Sequence, residues 1–192
     1  MIADALLWAR LQEAGTLQVD PALVSIPDFL PQYDWVRRQM ARRLVAYHGG
    51  YPWWAWAAPK PDLRSTSYHN DPPGAALVRL ALVVPVDEVL CFDFHAWHVP
   101  LNDGYLSVDE AEDAVWEALP EAERTQEALE ASWERLFEPA AVLDSAWYGP
   151  LERVQAVFET LRLADVTGVT HYRSRIARRD SPSRSLAPVP SE

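Results

Sequence analysis

Leu77-Val78-Arg79-Leu80-Ala81-Leu82-Val83-Val84, then Pro85-Val86-Asp87-Glu88, then Val89-Leu90-Cys91-Phe92-Asp93-Phe94 is the stretch that decides the fold class. Its first part is apolar throughout except for Arg79, the pattern of a well-buried strand. Pro85 to Glu88 reads as a turn, and Val89 to Phe94 as a second strand paired with the first. Upstream, Tyr51-Pro52-Trp53-Trp54-Ala55-Trp56-Ala57 is short and aromatic, which suits a third strand whose start Pro52 places near a sheet edge. The residues from Ala58 to Gly74, punctuated by prolines and small polar residues, read as loop. Val166 to Tyr172 is β-prone and is expected to return to the sheet.

Helices fill the remainder. Leu6, Leu7, Leu11 and Ala14 recur at helical spacing before Gly15, which predicts a helix over 3–14. Pro31 to Tyr47 is a second, with Val36, Met40 and Leu44 buried and Arg37, Arg38, Arg42 and Arg43 facing water. Ser107-Val108-Asp109-Glu110 has the form of a capping box that opens a third. Pro120 to Phe137 predicts a fourth, with Leu129, Trp133, Leu136 and Phe137 inside. Pro150 to Leu163 predicts a fifth, buried through Leu151, Val154, Val157, Phe158 and Leu161. The expectation is an α+β fold with one globular domain over 1–172, a small mixed or antiparallel sheet and about five helices. Residues 173–192, rich in serine, proline and arginine, read as a disordered tail.

The chain has 192 residues and a net charge of −11, and it contains nine tryptophans and one cysteine. Five arginines of the tail leave about −14 on the body, which disfavours a phosphate backbone as its ligand. A lone cysteine excludes a disulfide framework, and no window is apolar enough to span a membrane, so a cytoplasmic setting is expected. So many tryptophans predict an aromatic-lined pocket or a very heavy core.

Chemistry-bearing residues crowd between Tyr51 and Tyr105. On a strand Trp54 and Trp56 share a face that Trp53 opposes. Asp62 and Arg64, held by Pro61, are suited to orient a ligand's phosphate or carboxylate through the guanidinium fork. Asp93 ends a strand, and Trp97, His98 and Asn102 follow where the chain turns outward. His95 and His98, with Asp93 or Asp71, lack a third strong ligand at a set spacing, so hydrogen bonding is favoured and no metal ligands are assigned. Glu134, Glu152 and Glu159 fall on predicted helices, mostly as solvated faces, and Cys91 reads as inert within an apolar strand.

Trp8 with Leu11-Gln12 and Gly15, Tyr33-Asp34-Trp35 with Gln39-Met40, Tyr51-Pro52 before Trp54-Ala55-Trp56, Pro61-Asp62-Leu63-Arg64, and Val89-Leu90 with Asp93-Phe94, Trp97-His98 and Leu101-Asn102 resemble an uncharacterised bacterial family of unknown function. The resemblance spans Trp8 to about Tyr172. Members begin with a short strand carrying tryptophan and glutamine, where this chain has Met1-Ile2-Ala3. The order of elements is also similar to small ADP-ribosyltransferase-like toxins. That similarity implies NAD as cofactor, Trp56 stacking on nicotinamide, Arg64 and His98 on ribose or phosphate, and Glu134 stabilising a ribosyl cation.

The leading expectation is therefore a protein that handles a small molecule or nucleotide. Its catalytic candidates are His98, Glu134 and Asp93, and its ligand-binding candidates are Trp54, Trp56, Asp62, Arg64, Trp97 and Asn102. A non-catalytic partner of a defence or toxin–antitoxin system is the alternative. A metal-dependent hydrolase built on His69, Asp71, His95 and His98 is the third.

Overall fold

The computed structural model describes residues 1–21, 29–58, 63–64, 71–149 and 151–175. Asp62, His69 and nearly all of the tail lie outside them. The architecture is α+β, with three small antiparallel sheets and five helices of eight or more residues among the described residues.

The chain opens with β1 (Ile2–Asp4), so the first helix is shorter than its spacing predicts. Asp4 accepts from the Leu7 N–H and starts α1 (Ala5–Ala14), which Gly15 ends in the left-handed region at φ 73°. β2 (Thr16–Gln18) follows, then α2 (Leu30–Arg43). Val36, Met40 and Leu44 are buried, as their spacing predicts. The helix stops at Arg43 rather than Tyr47 because Leu44 turns extended, at φ −107° and ψ 126°.

β3 (Trp53–Ala58) and β5 (Val89–Asp93) flank β6 (Val154–Phe158) in one sheet, while β1 and β8 (Val166–Arg173) flank β4 (Ala76–Leu82) in another. β2 pairs with β7 (Thr160–Arg162) in the third. Two expectations fail here. β4 and β5 do not pair with each other but enter different sheets. Residues 151–162 form no helix, and the stretch holds β6 and β7 instead, which enter different sheets. β6 is central in its sheet and covered on both faces, so its burial does not alternate and its apolar residues imitate helical spacing.

That sheet separates two cores. Trp54, Val157, Leu90 and Phe92 face a helical layer made by α2, α3 (Phe94–Leu101) and α5 (Gln126–Trp133). Trp53, Phe158 and Val89 face β4 and α1. The alternation of Trp53 and Trp54 is therefore as the strand period predicts, and each belongs to a different core.

Two helix starts differ from their sequence signals. α4 (Glu110–Ala118) is capped by Asp109, which accepts from the Glu112 N–H, while Glu112 accepts from the Val108 N–H at 2.6 Å. The capping box thus sits two residues later than Ser107, whose hydroxyl is buried against Asp113 and Tyr148. Between Pro120 and Phe137 the predicted single helix is divided. Thr125 starts α5, and Glu134–Phe137 tightens into a 3₁₀ turn. Two four-residue helices, α6 (Pro139–Val142) and α7 (Ser145–Tyr148), precede β6.

Glu159, expected on a solvated helix face, instead joins β6 to β7 and is buried. Its carboxylate accepts the N–H groups of His48 at 2.8 Å and Gly50 at 2.6 Å, tying the α2–β3 connection to the junction of β6 and β7. A Cβ at position 50 would lie 2.9 Å from Glu159 Oε1, so any side chain there must displace the carboxylate. Gly50→Ala is expected to lower stability by about 1–3 kcal/mol, the usual range for overpacking, in urea unfolding followed by tryptophan fluorescence. An unchanged midpoint would show that the carboxylate moves aside freely.

Candidate functional site

The tryptophan strand has one filled face and one open face. On the first, Trp54 lies 5.5 Å from the Tyr33 ring, 5.8 Å from Phe92 and 5.7 Å from Trp97. Trp97 is buried, so these two rings form core rather than a free stacking surface. Trp56, on the same side but nearer the strand's end, packs against Phe94 at 4.8 Å, and Phe94 in turn meets His98 edge-on at 4.3 Å.

Asp93 caps α3. One oxygen accepts from the His95 and Ala96 N–H groups and the other from the Arg153 N–H, so the carboxylate is consumed by backbone donors. His98 is exposed, and its Nδ1 lies 2.7 Å from the Phe94 carbonyl. A carbonyl only accepts, so Nδ1 carries a proton and Nε2 is directed elsewhere. Asn102 donates to the His98 carbonyl at 2.7 Å and ends the helix.

Glu134 stands apart from this cluster. It accepts from Gln39, Arg42 and Arg43, so part of the arginine face of α2, predicted to meet water, clasps the end of α5. Burial alone would raise the Glu134 carboxyl, but the bonds from Arg43, Gln39 and Arg42 outweigh it and hold the group below the ordinary carboxylate range. Glu112 behaves likewise. Burial raises it, while Arg135, the Val108 N–H and Tyr105 bring it down further. Arg64 is exposed on the short described turn 63–64, where its carbonyl accepts from the Arg175 N–H. Among the described residues, no three His, Cys, Asp or Glu side chains are grouped to hold a metal ion.

The open face of the strand looks toward β4. Sheet register sets Ala55, Ala156 and Cys91 side by side across β3, β6 and β5. Three small side chains in one row, opposite Leu80 and Leu82, leave the sheets apart and form a groove of about 560 Å³. Trp56, Ala57, Leu63, Arg79 and Thr167 also border it, and the register shift between Trp56 and Ala58 widens this end of the strand. Cys91, expected to be inert, is exposed here, and partial burial pushes its thiol up from the ordinary range. The residue sequence contains no motif for this groove, because the row exists only once the register of three distant strands is known.

Of the sequence candidates, Trp56 alone borders both the groove and the Phe94–His98 row. Trp54, Trp97 and Glu134 serve packing and ion pairing, and Asp93 and Asn102 serve the ends of α3. An α+β domain with a groove between two of its three sheets is thus the class that the geometry defines. The chain belongs to the DUF3841 family, a domain of unknown function, whose model matches residues 2–167. No curated protein and no solved structure matches it. No helix among the described residues is long and apolar enough to cross a membrane.

The depressed carboxyls give a pH dependence with a definite sign. A carboxylate whose folded pKa lies below its unfolded value of about 4.3 contributes stability that is present above that value and lost as the pH falls through the folded pKa. Melting temperature is therefore expected to fall below about pH 4 and to do so less steeply in Glu134→Gln. Identical acid limbs in the two proteins would remove Glu134 from the account.

Proposed function

We propose that the protein handles a small molecule in the groove between the β3-β6-β5 and β1-β4-β8 sheets. The observation that carries the reading is the row Ala55, Ala156, Cys91, which keeps a gap between faces that larger side chains would close. The volume, about 560 Å³, is that of ordinary small-ligand sites, which span roughly 300–1,000 Å³.

NAD-dependent ADP-ribosyl transfer is the most specific chemistry within this reading, but the Trp56 ring packs on Phe94 on the other face of the strand. His98 lies beyond Phe94, and Glu134 is engaged by Gln39, Arg42 and Arg43, so neither borders the groove. In a transferase those two roles would pass to other residues. A protein-interaction role has one observation in its favour, the 43 % exposure of Trp147 on α7, away from the groove.

A ligand bound only by the folded state at a hundred times its Kd stabilises by about 2.7 kcal/mol, which is several degrees in melting temperature for a chain of this length. NAD, ADP-ribose, AMP and a small-metabolite panel are the ligands to screen. At least one is expected to raise the melting temperature of the wild type and not that of Ala156→Phe, whose ring would fill the gap. A panel with no effect on the wild type would favour the protein-interaction role.

A further inference from the structure

Independently of the groove, we propose that β8 takes up an acidic, extended segment of a partner protein as an added strand of the β1-β4-β8 sheet. β8 is an edge of that sheet, eight residues long, and Thr167, Val169, Thr170, His171 and Arg173 are all exposed. The pairing pattern says which backbone groups are left over. The Leu80 N–H donates to the Met1 carbonyl, so Leu80 turns its backbone toward β1, and Leu77 and Arg79 turn theirs toward β8. Their partners Tyr172 and Thr170 are thereby used, and the N–H and C=O groups of Val169, His171 and Arg173 point outward, where no described strand lies. The Arg175 N–H, next in this series, donates to the Arg64 carbonyl at 2.8 Å, so this side of the chain already holds one neighbour's backbone.

The other edges are short or covered. β1, β2 and β7 have three residues each, β5 runs straight into α3, and the first four residues of β3 are half-buried. Proteins keep edges from foreign strands by such means, or by lysine and proline on the edge. β8 has neither residue, and Val169 at its middle is 39 % exposed.

Charge names the occupant. The chain holds 28 Asp and Glu, yet none falls on β4 or β8. Those strands carry Arg79 and Arg173, which no described carboxylate pairs, whereas Arg37, Arg38, Arg135 and Arg162 each meet one. Register sets Arg79 beside Thr170 on the sheet face turned away from the groove, and its guanidinium reaches the Thr170 hydroxyl at 3.4 Å. Its charge therefore lies over β8 itself. A carboxylate on the residue opposite Thr170 in an added strand would meet it, since facing side chains there start about 4.5–5.5 Å apart. Arg173, which donates to the Gly74 carbonyl, offers a second cation on the other face. The net charge of −11 opposes an acidic partner at a distance, but screening over about 8 Å at physiological salt leaves the local charges in control. A second copy of this chain would set two such basic edges against each other.

Fluorescein-labelled peptides that alternate glutamate, or lysine, with valine and threonine are the probes, read by anisotropy. The glutamate peptide is expected to bind about tenfold more tightly than the lysine peptide, and less so as salt is raised. The double variant Arg79→Gln, Arg173→Gln is expected to remove that preference. Val169→Pro deletes an outward N–H without touching a bond to β4, so it is expected to abolish binding and keep the melting temperature. Should that variant fail to fold, amide exchange in the wild type decides: the glutamate peptide is expected to slow exchange at Val169 and His171. Equal binding of the two peptides, or a preference that survives the double variant, overturns the acidic claim. No binding, or binding that leaves the Val169 and His171 amides unprotected, overturns β8 as the site. A wild type that sediments as a dimer and a Val169→Pro that sediments as a monomer, with neither peptide bound, would assign the edge to a second copy and overturn the proposal.

Discussion

Val154–Phe158 is the strand on which the rest of the molecule leans. It pairs with β3 on one side and β5 on the other, and neither of those strands has another partner in the sheet. Val157 enters the helical core and Phe158 the core under β4, so one short strand contributes to both hydrophobic layers. Burial on two faces removes the cost of a half-wet strand but demands that every backbone group be paired, which two antiparallel neighbours accomplish. At its end Glu159 continues the same function by fastening the connection between α2 and β3.

The same strand explains where sequence reasoning failed. Strands with an exposed face or an aromatic run, such as Trp53–Ala58, announce themselves through composition, and Val166–Arg173 does so through β-branched residues. Val154–Phe158 has neither alternation nor flanking turn signals strong enough to outweigh apolar residues at positions that also suit a helix. Buried stripes on α2 were legible because a helix shows its period over many residues. The partners of its arginines were not, since Glu130 and Glu134 lie about ninety residues away. Single-residue signals therefore located the elements, and long-range pairing decided their use.

The crowded region from Tyr51 to Tyr105 divides in the same way. Its aromatic side chains were visible as a group, but their number reflects the weight of the core: Trp35 meets Trp133 at 5.5 Å, and Trp54 sits among Tyr33, Phe92 and Trp97. Its polar residues looked catalytic because Asp93, His98 and Asn102 are close in sequence. They are close because they begin and end one short helix. The open space arises from alanines and a cysteine, residue types that draw no notice in a linear reading. What marks the groove is the coincidence of small side chains across three strands, a property of register rather than of any segment.

The late position of the central strand also governs how the chain must be made. β3 waits for β6 across about a hundred residues, as the 109-residue separation of Gly50 and Glu159 illustrates, and β5 waits across roughly two-thirds of that. β2 waits for β7, and β4 reaches its full pairing only with β8. On the ribosome, every residue up to Phe158 must emerge before the sheet dividing the two cores can close. Until then the tryptophan strand presents unpaired edges and apolar faces, and pairings this distant in sequence slow folding.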